Sequence, residues 1–341
     1  MTGLKKQFFP AIFTEKQEKT HMKSDIRTIA ANTGFSIATV SRALNGAKYV
    51  ASATRSRIVA EAERLGRRGE RKRILFITVS ALLKSPYFMG LLHRLWEDFE
   101  NEGYRCELIT SLALDAVEDR LVAGAIAILT EDGLERYWGR SFAVPLVCIN
   151  SRANRLDNIW SVLTDEYDGM KKLMEHLYEL GHRRIMLLCK KYTDLTEWCA
   201  NTRCEAFRQL AAELKLEYAP IADSIRHMAE MSICAEWIRR STVTAVIAAS
   251  ETMAGPLIWH LRTHGCRVPE DISVCGWDIG GARSEEMTVT GVSQDVENLA
   301  KTAIARLKTL MAGGRVSGNV LIPCRFYPRL STGPAPVPPR P

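Results

Sequence analysis

Residues 25–66 read DIRTIAANTGFSIATVSRALNGAKYVASATRSRIVAEAERLG, and the spacing of their apolar residues decides the fold of the N-terminal part. Ile26, Ile29 and Ala30 recur at helical spacing, with Asp25 placed to cap the helix. Thr33-Gly34-Phe35 breaks it, Gly34 supplying the positive φ of a tight turn. Ser36 is a second N-cap, followed by a helix from Ile37 to Leu44 with Val40 and Leu44 on one face. Asn45-Gly46 ends it, and Thr54 to Leu65 form a third helix with Ile58, Ala62 and Leu65 inward. Two short helices joined by a Gly-containing turn, with a third packed across them, make a helix-turn-helix.

In that motif the second helix enters the major groove of DNA by its N-terminal end. Ile37 and Ala38 then face base edges, and Arg42, one turn later, reaches the O6 and N7 of a guanine. Ser36, Thr39, Ser41 and Asn45 are short polar groups suited to phosphate oxygens. A three-helix protein-binding module shares the pattern.

Charge favours the DNA reading. Between Met22 and Arg73 twelve Lys or Arg face four acids, a net +8 in 52 residues, whereas the whole 341-residue chain carries only +7. The first 21 residues hold +2, so everything from Ile74 onward sums to −3. A basic module ahead of a slightly acidic body suits a protein that docks a polyanion with one end. A merely solvated charge cluster is the plainer alternative.

At 46% hydrophobic and 25% charged, the chain has an ordinary globular composition, which excludes a wholly disordered chain and a stapled mini-protein. Nine scattered cysteines with no CxxC suggest a reducing cytoplasm. No run approaches the roughly 20 apolar residues of a membrane span, and Phe8–Phe13, broken by Pro10, is too short for a signal-peptide core. Residues 1–21 read as a disordered arm or an upstream start artefact, and 333–341 as a Pro-rich tail.

From Ile74 short apolar runs alternate with amphipathic stretches. ILFITV (74–79), CELIT (106–110), AIAIL (125–129), LVCIN (146–150), IMLLC (185–189), AVIAA (245–249) and ISVCG (272–276) are candidate strands. Phe88–Glu102, Met170–Leu180, Arg203–Leu214, Met253–His264 and Val296–Met311 are candidate helices. The alternation implies an α/β body of parallel sheets with helices on both faces. RKRILFITV and HRRIMLLCK look alike, which suggests two similar lobes with a ligand cleft at the carboxyl ends of their strands. No GxGxxG, GxxxxGK[ST], GxSxG or HExxH occurs. His260 and His264, with Cys266 nearby, have the spacing of a metal pair, but a basic helix C-terminus is the plainer reading, and no metal or other cofactor is expected.

The string ATVSRALNG, preceded by IAANTGFS and followed by VASATRSRIVAEAERLG, resembles the DNA-binding domain of the lactose-repressor/galactose-repressor (LacI/GalR) family. The body continues the likeness through Ser85-Pro86-Tyr87-Phe88, ELGHRRI (179–185), VPEDISVCGWD (268–278), Gln294 and GNVLIP (318–323), so it covers nearly everything from Asp25 to Thr332. It implies a helix-turn-helix at 22–66, a linker at 67–73 and a two-lobed periplasmic-binding-protein-like body at 74–332. The first lobe would comprise about 74–181 and 293–322, the second 182–292 and 323–332. Carried over by position, the effector pocket would include Tyr87, Phe88, Asp165 or Asp168, Arg203, Ser250, Asp278 and Gln294, with Glu197 accepting a hydroxyl and Trp198 stacking. For Trp198 and Trp277, core packing is the alternative.

The resemblance has departures. Family members follow the third helix with a Tyr-x-Pro-Asn segment and a hinge helix whose leucine wedges into the minor groove. This chain has RRGERKR (67–73) instead, which reads either as a basic arm along the DNA or as a plain tether. VTG (289–291) replaces Leu-Thr-Thr, Glu251 replaces the common Asp, and the second helix of the first lobe looks trimmed. The resemblance implies a cytoplasmic homodimeric regulator, a repressor by preference, of a double-stranded operator, controlled by a small carbohydrate and touching no membrane. The rival is a cytoplasmic sugar-binding protein or enzyme with a DNA-binding appendage.

Overall fold

The computed structural model describes residues 26–44, 50–65, 73–111, 113–114, 122–130, 134, 144–151, 159–190, 197–225, 230–250, 252–278 and 289–336. The chain divides into two units, one holding the N-terminal helices and one holding two sheets. Of the features expected from the sequence, the Asp25 cap, the arm at 1–21, Asn45, the linker from 67 to 72, the departure at Glu251 and the tail beyond 336 lie outside the described residues.

In the first unit, residues 26–33 form α1, followed by α2 (Ile37–Leu44) and α3 (Ser52–Arg64). Gly34 has φ +74°, and its N–H donates to the Ala30 carbonyl at 3.0 Å, closing α1 in the left-handed turn that a side chain resists. Ser36 caps α2, its Oγ accepting from the Thr39 N–H at 3.1 Å. Ile29, Ala30, Val40, Ala43, Leu44, Ile58 and Ala62 form one core, each full burial of an Ile or Val contributing about 1.5–3 kcal/mol. Leu65 departs from expectation: α3 stops at Arg64 and Leu65 is exposed. Asn32 of α1 and Arg64 of α3 both donate to Glu61, and the Arg64 hydrogen bond chiefly holds that carboxyl down to about 2.

The second unit contains two six-stranded sheets. The first orders β11 (Val320–Ile322), β5 (Trp160–Thr164), β4 (Leu146–Ile149), β3 (Gly124–Ile128), β1 (Arg73–Thr78) and β2 (Arg105–Thr110). The second orders β12 (Arg325–Tyr327), β10 (Thr290–Ser293), β9 (Ser273–Trp277), β8 (Ala245–Ala248), β6 (Ile185–Lys190) and β7 (Ile221–Ile225). Position by position the two orders correspond, as the similarity of RKRILFITV and HRRIMLLCK suggested. They differ at one edge, where β11 runs parallel to β5 and β12 antiparallel to β10.

Helices cover the sheets. In the first lobe α4 (Pro86–Asn101) packs against α9 (Val296–Met311), which lies on β3, β4 and β5. In the second, Ile185, Leu187, Ala245, Ile247 and Cys275 face α5 (Glu166–Glu179) and α6 (Glu197–Glu213). Met186, Leu188, Val246, Ala248 and Val274 face α7 (Glu230–Arg240) and α8 (Ala254–Thr263). Successive strand residues point to opposite faces, and both faces are covered, so the runs are apolar without alternation. No described helix is long and apolar enough to cross a membrane.

One boundary moves. With the first lobe taken to 181, α5 would belong to it, yet Met170, Leu173, Met174 and Leu177 are buried in the second lobe's core. The chain changes lobe between Thr164 and Glu166, because a helix follows whichever sheet takes its apolar stripe. The turn after α5 is pinned by buried His182, whose Nδ1 lies 2.9 Å from Thr244 Oγ1 and Nε2 3.0 Å from Ser273 Oγ.

Candidate effector cleft and DNA-reading helix

The crossovers between the lobes are tied to one another. Asp165 N–H donates to the Ile322 carbonyl at 2.8 Å, Cys324 N–H donates to Asp168 Oδ2 at 3.0 Å, and Arg325 Nε donates to Asp295 Oδ2 at 2.8 Å. Asp165 also caps α5, its Oδ1 accepting from the Asp168 N–H at 2.9 Å, while Lys172 Nζ donates to Asp168 Oδ2 at 2.6 Å. Of the two carboxylates proposed for ligand contact, that of Asp168 holds a crossover and that of Asp165 caps α5.

The side chains that bridge the lobes stand directly after strands. Gln294 follows β10; its Nε2 donates to Asp278 Oδ2 at 2.9 Å, and its Oε1 accepts from Asn150 Nδ2 and Thr164 Oγ1, each at 2.6 Å. Asn150, following β4, also donates to the Tyr87 hydroxyl at 2.7 Å and accepts from the Thr164 N–H at 2.7 Å. Asn150 and Asp278 have φ of 51° and 58°, in the left-handed region that Asn and Asp tolerate best. A cavity of about 280 Å³ opens beside Tyr87, Asp278, Gln294, Arg325 and Tyr327.

Arg203 of α6 is buried against the second lobe. It donates to both oxygens of Glu166 at 2.7 and 3.1 Å and to the Ala249 carbonyl at 2.8 Å, with its guanidinium 4.2 Å above the Trp277 ring. Trp277 is fully buried and packs in the core, yet its outer face carries this cation. Asp278 is deeply set although part of its surface reaches the cleft. Desolvation pushes its carboxyl up, against the pull of Arg203 and the Gln294 hydrogen bonds. Ser250, after β8, is buried, with its hydroxyl 3.4 Å from Thr252 Oγ1.

Tyr87, Arg203, Ser250, Asp278 and Gln294 thus stand at strand ends or on the helices beside them, where α/β sheets bind ligands. Phe88 does not join them: it lies on the buried stripe of α4 with Leu91, Leu95 and Phe99, so its ring is closed to a ligand. Glu197 begins α6, but its side chain and that of Trp198 lie outside the described residues. Sequence reading missed Asn150, because LVCIN passed for strand throughout, and Glu166, hidden between the two carboxylates singled out. It also missed Thr130 and Ser151, whose buried hydroxyls after β3 and β4 have no partner among the described residues. His264 Nε2 lies 3.1 Å from Ser232 Oγ and its Nδ1 3.4 Å from Glu236, and no cluster of three metal-ligating side chains occurs among the described residues.

On the first unit, Ile37 is 52% exposed, unlike the buried Ile29 and Ile58, and Ala38 and Arg42 are also exposed on α2. No packing among the described residues of the unit explains an apolar side chain there. Residues 25–66 match the sequence profile of bacterial regulatory proteins of the lacI family, and residues 174–332 match that of a periplasmic binding protein-like domain. The chain carries a LacI-family DNA-binding domain and a periplasmic-binding-protein-like domain. The MalR transcriptional regulator of Streptomyces coelicolor is 29% identical over 75% of this chain and 81% of its own. The lactose operon repressor of Escherichia coli is 26% identical over 89% of each chain. Among solved structures, the lac repressor dimer bound to operator superposes with a TM-score of 0.64 at 22% identity, covering 89% of this chain and 98% of that one. That likeness carries the fold, including the N-terminal helical unit and the two-sheet body.

Proposed function

We propose that this LacI-family protein is a cytoplasmic, ligand-responsive transcriptional repressor that binds a palindromic operator as a homodimer and releases or retains it according to a sugar in the cleft. The carrying observation is the chain Asn150–Gln294–Asp278, in which one amide is shared by polar groups of both lobes. A polyhydroxylated ligand offers vicinal donors and acceptors that replace such bonds, with bidentate carboxylate contact at Asp278. Such a ligand shifts the lobes only if it binds their two arrangements with different affinity.

Glu166 matches the charge of Arg203 and Asp295 that of Arg325, so among the described residues the cleft offers no unbalanced cation to a phosphate or carboxylate, which favours a neutral sugar. Ile37, Ala38 and Arg42 are assigned to base reading, and Ser36, Thr39, Ser41 and Asn45 to the backbone. Dimerisation is supported by α7 and α8, which pack side by side and expose Ile233 (73%), Trp237 (45%) and Trp259 (63%). Two recognition helices at a fixed separation then read an inverted repeat.

The test pairs two variants. Arg42→Ala should abolish retention of specific fragments from the protein's own genome while leaving sugar affinity intact. Asp278→Ala should abolish sugar affinity, found by screening melting temperature against neutral sugars, while leaving DNA retention intact. If both changes affect DNA alone, the cleft assignment is wrong. Turnover of a bound sugar would establish the rival reading of an enzyme with a DNA-binding appendage.

A further inference from the structure

Two thiols of the second lobe lie together. Cys189, at the carboxyl end of β6, has its Sγ 3.4 Å from Sγ of Cys204 on α6. Cys189 is 3% exposed and Cys204 is partly exposed. A disulfide needs about 2.05 Å between sulfurs, so closing the gap takes roughly 1.4 Å of approach between a strand end and a helix side chain. The other cysteines differ in setting. Cys275 and Cys324 are buried with thiols pushed above their usual range, and burial raises Cys106 to about 12 and Cys234 to about 11.

We propose that Cys189 and Cys204 form a reversible disulfide when the protein meets a peroxide, Cys204 acting as the more accessible attacking thiol and Cys189 as the buried resolving thiol. The Cys204 thiolate attacks one peroxide oxygen; the O–O bond breaks, Cys204 becomes a sulfenic acid, and the departing hydroxide takes up the thiol proton as water. The Cys189 sulfur then attacks the Cys204 sulfur; the S–S bond forms, the S–O bond breaks, and hydroxide leaves with the Cys189 proton as a second water. With hydrogen peroxide the balance is two thiols and one peroxide giving one disulfide and two waters. A thiol or dithiol reductant reverses it.

The position gives the bond a consequence. Cys204 adjoins Arg203, whose guanidinium joins Glu166, the Ala249 carbonyl and the Trp277 face. Stapling α6 to β6 restrains the element carrying that arginine at the edge of the cleft. Any effect on sugar binding rests on the proposed function, whereas the bond itself does not, and the experiment reads the bond.

Trypsin separates the relevant cysteines, because cleavage after Arg184, Lys190, Lys191, Arg203 and Arg208 yields IMLLCK (185–190), YTDLTEWCANTR (192–203) and CEAFR (204–208). Full-length protein is treated with hydrogen peroxide, its remaining thiols are alkylated, and the digest is mapped by mass with and without reductant. The expected result is IMLLCK joined to CEAFR with loss of two hydrogens, separable by dithiothreitol and absent in Cys204→Ser. Joining of IMLLCK to YTDLTEWCANTR, or both peptides remaining alkylated in the wild-type protein, overturns the proposal.

Discussion

Gln294 lies between an acceptor and a donor of opposite lobes: its backbone N–H and its Nε2 donate to the two oxygens of Asp278 at 3.2 and 2.9 Å, while its Oε1 accepts from Asn150 Nδ2 at 2.6 Å. One amide thereby reads both sheets, and burial beside it raises the pKa of the Asp278 carboxyl.

That perturbation has a defined sign. Desolvation raises the Asp278 carboxyl in the folded protein above the ordinary value of about 3.9. Its contribution to stability is full below the unfolded pKa and is lost as pH rises through the folded one. Asp278→Asn has no such proton to lose, so the unfolding free energy of the variant relative to wild type should improve as pH is raised from about 4 toward 7. Urea titrations of both proteins across that range check it, and a flat or falling difference refutes it.

His182 behaves oppositely. Burial is the largest influence on its pKa and lowers it, so its stabilising contribution is present above the unfolded value and lost as pH falls through the folded one. Removing a ring held by Thr244, Ser273 and the Gly333 carbonyl should cost about 2–3 kcal/mol at neutral pH. The deficit of His182→Ala, followed by denaturant unfolding, should shrink as pH falls below about 6.5.

Glu166 and Arg203 are 2% and 6% exposed, so neither charge is well served by water. Glu166→Ala leaves a buried guanidinium without its carboxylate and should cost about 3–5 kcal/mol of unfolding free energy. Glu166→Gln keeps an acceptor for Arg203 and should cost less. Equal losses in the two variants would mean that the charge, which both remove, sets the whole effect and that the retained acceptor contributes nothing.

Gly169 offers no room for a side chain: a Cβ there would stand 2.8 Å from both the Trp277 ring and Cys324 Sγ. Gly169→Ala should therefore lower stability by about 1–3 kcal/mol and turn the indole that lies under Arg203. Near-ultraviolet circular dichroism reports the indole; an unchanged spectrum with full stability would show that the ring is not held by this contact.

The parts legible in sequence are those whose signal is local. Gly34 and Ser36 mark the turn and cap within a few residues of where they act, and both do so in the structure. Strands covered on both faces announce themselves as apolar runs, so β3, β4, β6, β8 and β9 were found within a residue or so. Edge strands β7, β11 and β12 carry weaker patterns, since Asp and Ser interrupt IADSI, Arg opens RFY, and VLI is only three residues long. In α7 the exposed Ile233 and Trp237 blur the apolar stripe formed by Met231, Ala235 and Ile238.

By itself the sequence determined a helix-turn-helix with an outward Ile37 and Arg42, an α/β body in two alike lobes, and the strand-end places where a ligand would meet them. Only the tertiary structure decided that α5 belongs to the second lobe, that Phe88 faces the core, that Asp165 and Asp168 hold the crossovers, and that Asn150 and Glu166 complete the cleft. The reason is range: caps and periodicity act within a few turns of one element, whereas Asn150 meets Gln294 across 144 residues. Which partner a polar side chain finds depends on how two sheets are set against each other, and no local pattern encodes that.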